Sequence, residues 1–403
     1  MAARKYEVVL HGATGFTGGL CAQYLCRQHA LRWAVSGRSA ARLCAVVAAL
    51  EHAVSAPDVI EVDIEDAVAL RRLAASTAVV LSMAGPFAKV GTPVLEACVA
   101  ESTNYCDITG EVPWVRQQME RLGAEAARKG VTLVSCSGFD SVPSDLGTLY
   151  GVGKLRERYG AHTQVGAVSN YVQMRGGLSG GTLASGINME KDPELARLMA
   201  DPFALGGRPR AGVRDCDQDV TAAAFDAKVA AWTAPFGMAT INTRIVRRSN
   251  MLCGYGGDAF QYRETQLCKD ESEALKLARG GPPADKRAEL VQSGRLPKPG
   301  EGPSKELRQK SWFRCLVRVE AAEDPSKVVY VRVSGGDPGY DETAKMAAET
   351  ALVLARNADL LPRRGGFLTP AAAGGTALIE ALQRAGIVFE QVRPPALAAK
   401  AKM

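Results

Sequence analysis

The sequence predicts an α/β protein: a doubly wound parallel sheet, joined to a second domain of α+β type built mainly on an antiparallel sheet. Two patterns carry this. Over the first third of the chain, short β-branched runs alternate with amphipathic stretches, as in a parallel sheet covered by helices on both faces. Past about residue 150 the strand patterns lengthen and alternate, as strands with one solvated face do. Composition agrees, because 403 residues suffice for two cored domains, and 47% hydrophobic with 23% charged residues is ordinary for a globular chain.

The first strand, Tyr6-Glu-Val-Val-Leu-His11, runs into Gly12-Ala-Thr-Gly-Phe-Thr-Gly18, which opens a helix marked by Leu20, Tyr24 and Leu25. Gly12 and Gly15 permit a sharp turn and close approach to an oxygen, Gly18 lets helix and strand pack tightly, and the unpaired amides of a helix start attract negative charge. Trp33-Ala-Val-Ser-Gly37 reads as the next parallel strand. This is the layout of a Rossmann-type dinucleotide domain, with Gly12, Ala13, Thr14, Gly15, Phe16 and Thr17 around the diphosphate. The second strand ends in Ser36-Gly-Arg-Ser39, with no carboxylate for a ribose 2′-hydroxyl. Arg38 would pair with a 2′-phosphate, and Ser36 and Ser39 would donate to it, so the expected coenzyme is NADP (NADPH).

Helices over 40–51 and 66–75 and strands at 59–63 and 78–83 continue the alternation. Asp63 falls near the expected adenine position. Ala84, Gly85 and Pro86 form a small-residue turn facing the diphosphate and nicotinamide. After a helix over 92–101 comes Asn104-Tyr-Cys-Asp-Ile-Thr-Gly-Glu111, then a helix over 113–129, a strand over 131–135, and the turn-rich Cys136-Ser-Gly-Phe-Asp-Ser-Val-Pro-Ser-Asp145. Both acidic turns converge on the rim where such sheets place ligands. Hydride transfer needs an oriented cofactor and a proton donor, so Tyr105, Asp107, Glu111, Asp140 and Ser141 are the candidates. A carboxyl among them could donate only if burial raised its pKa; otherwise these residues cap turns.

The dinucleotide domain is set at 1–150, a substrate and dimerisation domain at 151–340, and a C-terminal segment at 341–403 with helices over 343–358 and 374–385. Strands are expected at 164–174, 238–246, 312–319 and 328–333, the last two joined by a hairpin at 323–327. Residues 279–304, rich in Gly, Pro and charge, read as an exposed excursion. Gly176-Gly-Leu-Ser-Gly-Gly-Thr-Leu-Ala-Ser185 leads into a helix ending near Met199, and its amides with Ser179, Gly180 and Thr182 could hold a substrate carboxylate, thioester oxygen or phosphate. Tyr150-Gly-Val-Gly-Lys154 has the Tyr-x-x-x-Lys spacing of short-chain dehydrogenases, but two glycines disfavour the helix that motif requires.

A net charge of +6, dispersed along the chain, indicates no nucleic-acid partner. Ten cysteines without a Cys-x-x-Cys pair and only four histidines point to free thiols and no metal. No run approaches the ~20 apolar residues of a transmembrane segment, and the start passes straight into the first strand without a signal peptide. Ala401-Lys402-Met403 is a variant of the Ser-Lys-Leu peroxisomal import tripeptide, which sets peroxisome-type import against residence in the cytosol or at a lipid-droplet surface.

Taken in order, Gly-Ala-Thr-Gly-Phe-Thr-Gly, Ser-Gly-Arg-Ser, Ala-Gly-Pro-Phe, Tyr-Cys-Asp-Ile-Thr-Gly-Glu and Gly-Phe-Asp-Ser-Val-Pro-Ser-Asp resemble the saccharopine dehydrogenase-like oxidoreductases, a group that includes trans-acting enoyl reductases. The likeness runs on through residues 178–185, 246–250, 300–304 and 366–370. It implies a C-terminal segment returning to the first domain and NADP chemistry on a lipid-like or acyl substrate. It supplies no catalytic residue. An exposed strand edge in the second domain could pair two subunits as a homodimer, and peripheral lipid association is open, although no long apolar hairpin is present to anchor it. Two rivals stand beside an enoyl reductase-like activity: a saccharopine-type amino-acid dehydrogenase acting at a C–N bond, for which Arg247-Arg248 would be the carboxylate-binding cluster, and a non-catalytic nucleotide-binding scaffold on lipid surfaces.

Overall fold

A computed structural model describes residues 4–177, 193–298, 300–357 and 361–394. The amino-terminal elements are β1 (Tyr6–His11), α1 (Phe16–Leu25), β2 (Trp33–Gly37), α2 (Ala40–Ala48), β3 (Asp58–Glu61), α3 (Ala67–Ser76), β4 (Thr77–Ser82), α4 (Phe87–Ala100), β5 (Asn104–Asp107), α5 (Val112–Lys129) and β6 (Thr132–Val134). Then follow α6 (Val142–Tyr159), β7 (Val165–Arg175), α7 (Pro193–Ala200), β8 (Ala224–Asp226), β9 (Ala231–Pro235), α8 (Ala239–Cys253), β10 (Gln261–Leu267), α9 (Glu271–Ala278), α10 (Ala284–Gln292), α11 (Lys305–Gln309), β11 (Trp312–Ala321) and β12 (Val328–Gly335). The chain closes with α12 (Asp341–Arg356), β13 (Gly366–Leu368), α13 (Pro370–Arg384) and β14 (Val388–Val392).

Seven parallel strands form the first sheet, in the order β13-β6-β5-β4-β1-β2-β3. The chain leaves β1 toward β2 and β3 and returns to β4 on the other side, so the switch point lies between β1 and β4. Central strands such as Val8–Leu10 and Val79–Leu81 are buried on both faces, which is why they read as continuous apolar runs. The second sheet is mixed, ordered β14-β12-β11-β7-β10-β9-β8, with β7 and β10 parallel and the other pairs antiparallel. The C-terminal segment serves both sheets, since β13 extends the first beside β6 and β14 extends the second beside β12.

Three expectations need correction. Residues 238–246, read as a strand from their β-branched content, are the N-cap Met238 and the first turns of α8, where Ile241 and Ile245 recur at the spacing of one helical turn. Residues 142–159, read partly as a loop, form the helix α6, which runs unbroken through the boundary placed at 150. Two of its three glycines are packing devices: a Cβ on Gly153 would meet nothing within 4 Å, whereas one on Gly147 would stand 3.0 Å from Val333 Cγ2, and one on Gly151 would stand 2.7 Å from Val319 Cγ2. The helix therefore lies closer to the second sheet than any side chain at those positions would allow, and the apolar contact offsets the helix cost of glycine. Third, the excursion at 279–304 contains α10, and its far end is docked, with Pro303 buried.

Candidate cofactor and active site

The turn at 12–15 sits at the switch point. Gly12 has φ +85°, and a Cβ there would stand 2.8 Å from the Ala84 amide nitrogen, so only glycine lets the 84–86 turn rest against it. Gly12, Ala84, Gly85 and Pro86 are thus neighbours, as the sequence pattern requires of residues sharing one coenzyme. A Cβ on Gly18 would drive into the carbonyl oxygen of Gly12 and stand 3.0 Å from Ala13 Cα. The start of α1 carries neither a side-chain cap nor an acidic residue in its first turn. By contrast Ser39 and Asp66 cap α2 and α3, and both oxygens of Glu111 accept the first amides of α4. A bare, glycine-lined helix start suits an anion with several oxygens, so the residues present fit a dinucleotide diphosphate.

At the end of β2 the predicted coenzyme-reading residues separate. Ser36 is fully buried with its Oγ 3.0 Å from His11 Nδ1, so its hydroxyl faces the sheet interior. Burial lowers the His11 pKa to about 4, leaving a neutral ring against that hydroxyl. Arg38 is exposed and has no side-chain partner among the described residues, which leaves its guanidinium available to a phosphate. Ser39 Oγ accepts from Arg42 N at 3.4 Å, while Glu61 Oε1 accepts from Ala40 N at 3.0 Å. Asp63 is exposed and accepts from Glu65 N at 3.0 Å, closing its own turn.

Along the rim, three of the five proton-donor candidates are held by hydrogen bonds, and a fourth is sealed in the core. Tyr105 is fully buried in the apolar core. Asp107, also fully buried, stitches β5 to β6 by accepting from Thr109 N at 3.0 Å, Cys136 N at 3.3 Å and Ser135 Oγ at 3.1 Å. Glu111 accepts from Phe87 N and Ala88 N, each at 2.9 Å. Ser141 Oγ donates to Asn242 Oδ1 at 3.1 Å inside the protein. Asp140 differs. It is half-buried, its carboxyl has no hydrogen-bond partner among the described residues, and burial alone raises its pKa to about 7. A Cβ on Gly110 would stand 3.1 Å from Asp140 Oδ2, so that glycine makes room for the carboxyl.

Behind this rim lies a buried network that sequence reading missed. Glu264 Oε1 accepts from Ser144 Oγ at 2.9 Å and from Asn170 and Asn242 Nδ2 at 3.1 Å each, and Tyr262 OH donates to Oε2 at 3.3 Å. Asn242 continues the chain of hydrogen bonds to Ser141, the neighbour of Asp140. No local motif marks these residues, because they come from α6, β7, α8 and β10. Beside the rim, a 470 Å³ groove runs from Ala88 and Glu111 past Trp114 and Gln117 to Leu195 and Leu198 on α7. The expected substrate residues Ser179, Gly180 and Thr182 lie outside the described residues, as does the tripeptide 401–403.

The basic pair expected to bind substrate carboxylates is committed elsewhere. Arg247 is 2% exposed and donates to the carbonyls of Pro202, Asp217 and Tyr262. Arg248 donates to the carbonyls of Leu205 and Phe367. Among the described residues, no helix is long and apolar enough to cross a membrane.

Fold and site together define a nucleotide-binding α/β protein with a second, mixed-sheet domain. Residues 8–134 match the saccharopine dehydrogenase NADP binding domain. A Mycobacterium tuberculosis protein provisionally named a trans-acting enoyl reductase is 34% identical, over 97% of this chain and 98% of its own. The trans-acting enoyl reductase of Mycobacterium ulcerans is 32% identical, over 97% and 99%. Among solved structures, apo saccharopine dehydrogenase (L-Glu forming) from Saccharomyces cerevisiae shares the fold, with a TM-score of 0.53 at 14% identity over 96% of this chain and 100% of that one. The chain belongs to the saccharopine dehydrogenase-like oxidoreductases, in the group of the trans-acting enoyl reductases.

Proposed function

We propose that the protein is an NADPH-dependent reductase that saturates a carbon–carbon double bond conjugated to an acyl carbonyl, with Asp140 as the proton donor. The names of its relatives support the reaction class, and the lone Asp140 carboxyl is the observation that carries the assignment. In this reading the amides of Phe16 and Thr17 hold the diphosphate and Arg38 pairs with the 2′-phosphate. The nicotinamide, when bound, supplies the hydride. Asp140 supplies the proton that balances it and regains one from solvent, to which it is partly open. At pH 7 a carboxyl of pKa about 7 is protonated in about half of the molecules, against roughly one in a thousand for an ordinary aspartate. The groove from Ala88 to Leu198 offers an apolar wall in Trp114, Leu195 and Leu198 for the acyl chain. The C–N dehydrogenase reading loses its support with Arg247 and Arg248, whose Nη1 and Nη2 groups donate to backbone carbonyls.

The test is NADPH oxidation across a panel of α,β-unsaturated acyl thioesters. Wild-type kcat should fall about tenfold per pH unit above about pH 7, because the donating form is the protonated one. Asp140→Asn should lose ~10²–10⁴ in kcat while keeping its NADPH affinity. A variant with near-wild-type kcat would remove Asp140 from the role. NADPH binding without turnover on any thioester or imine would favour the scaffold reading.

A further inference from the structure

The docked end of the 279–304 excursion lies on the dinucleotide turn. Gly302 sits over Phe16, the first residue of α1, and a Cβ on Gly302 would stand 2.6 Å from the Phe16 ring atoms Cδ1 and Cζ. Only a glycine lets the backbone rest there. Beyond it, α11 brings the Arg308 guanidinium over the same ring, with Cζ 5.4 Å from its centroid, and Tyr340 meets the ring edge-on at 5.2 Å. The segment is anchored beneath as well: a Cβ on Gly177 would stand 3.1 Å from Pro303 Cβ. Residues 300–310 therefore form a strap, joined in sequence to the second sheet through β11, whose contact with the first domain includes a residue of the diphosphate turn.

Arg308 is held on one side only. Its Nε donates to Asp341 Oδ1 at 2.9 Å and its Nη1 to Pro303 O at 2.8 Å, with the side chain 12% exposed. Its Nη2 has no partner among the described residues. A cation this enclosed, fixed in orientation by two acceptors and retaining a free donor edge beside a bare helix start, is suited to an oxyanion. Phe16 links the two, because its amide belongs to the open first turn of α1 and its ring carries the guanidinium.

We propose that Arg308 is a coenzyme-binding residue that contacts the dinucleotide diphosphate from the side opposite α1, so that the strap of the second domain holds the coenzyme against the glycine turn. This rests on the NADP reading above. The guanidinium and the α1 amides would then share the diphosphate charge, and coenzyme binding would tie the strap to the first domain.

The experiment compares two ligands by equilibrium titration: NADPH, and adenosine 2′-monophosphate, which keeps the 2′-phosphate but lacks the diphosphate. Arg308→Gln should weaken NADPH binding ~10–100-fold, the range of a lost charge-assisted hydrogen bond. Its affinity for adenosine 2′-monophosphate should not change. Arg308→Lys should recover part of the NADPH affinity and serves if the glutamine variant does not fold. In the wild type, NADPH but not adenosine 2′-monophosphate should slow tryptic cleavage at Lys305 and Lys310, and Arg308→Gln should abolish that protection. Unchanged NADPH affinity, or equal loss for both ligands, would make Arg308 a structural clip on Phe16 and overturn the proposal. A wild-type protein that binds neither ligand would instead overturn the NADP reading itself.

Discussion

Gly18 and Gly19 are adjacent glycines in the same helix, and the structure assigns opposite outcomes to the same substitution. A Cβ on Gly18 runs into Gly12 O and stands 3.0 Å from both Ala13 Cα and Gly12 C, all backbone atoms that cannot rotate away. To restore the ~3.3 Å that a carbon and a carbonyl oxygen tolerate, α1 must back away from the turn by roughly 1 Å. Its buried face, Cys21, Ala22 and Leu25, would move with it. Overpacking of this kind costs about 1–3 kcal/mol, against the ~1 kcal/mol that alanine returns through helix propensity. The coenzyme should suffer more. A 1 Å shift stretches the amide contacts of Phe16 and Thr17 beyond hydrogen-bond range, and charge-assisted bonds are worth ~1.5–3 kcal/mol each, so NADPH affinity should fall ~100-fold or more. A Cβ on Gly19 finds nothing nearer than Ala13 O at 3.8 Å, an ordinary contact. Gly19→Ala should therefore keep full affinity and raise the melting temperature by a few degrees at most. Fluorescence titration with NADPH and thermal melts of both variants provide the measurement. Gly18→Ala binding NADPH as tightly as Gly19→Ala would refute the cradle argument.

Arg38→Asp should weaken NADPH binding ~10–100-fold while leaving NADH nearly unchanged, with a difference that shrinks as salt screens the exposed site; parallel titrations would show equal losses if Arg38 does not read the 2′-phosphate. Asp145 is fully buried and accepts from Ala371 N at 2.8 Å, and burial raises its pKa to about 7. Its folded-state pKa thus lies above the unfolded value of about 4, so the folded protein holds the extra proton, and stability is lost as pH rises from about 4 to 7. Asp145→Asn keeps a neutral group there and should flatten that fall by up to about 1.4 kcal/mol per pH unit. Urea midpoints across this window test it, and an unchanged slope would mean that Asp145 stays ionised.

Much of the first domain was legible because its signals are local. A parallel strand buried on both faces must be apolar throughout, and a turn with φ above zero at Gly12 must be glycine, so β1, the turn, α1 and β2 follow from consecutive residues. The second domain was harder. In α8 the β-branched Thr, Ile and Val suggested a strand, and helix won through tertiary burial of residues spaced a turn apart, including Arg244 and Arg247, which reach backbone carbonyls of distant segments. In α6 the glycines looked like breakers, since the residues that reward them, Val319 and Val333, lie far along the chain.

What the sequence determined by itself is a glycine turn between the first strand and first helix of a parallel sheet, and a set of acidic and hydroxyl side chains in the segments that follow its later strands. Which of those is chemically free was decided by tertiary structure. Asp107 and Asp140 look alike in the chain, but Asp107 meets donors from its own turn and from the residues that follow β6, whereas Asp140 meets none among the described residues. Burial raises both carboxyls to about 7, so proton affinity does not separate them; what does is that Asp107 is sealed from solvent and held by donors while Asp140 is half-buried with its oxygens unengaged, and both conditions are set by residues remote in sequence. The same holds for Arg308, whose place over Phe16 is set by packing across nearly 300 residues of intervening chain.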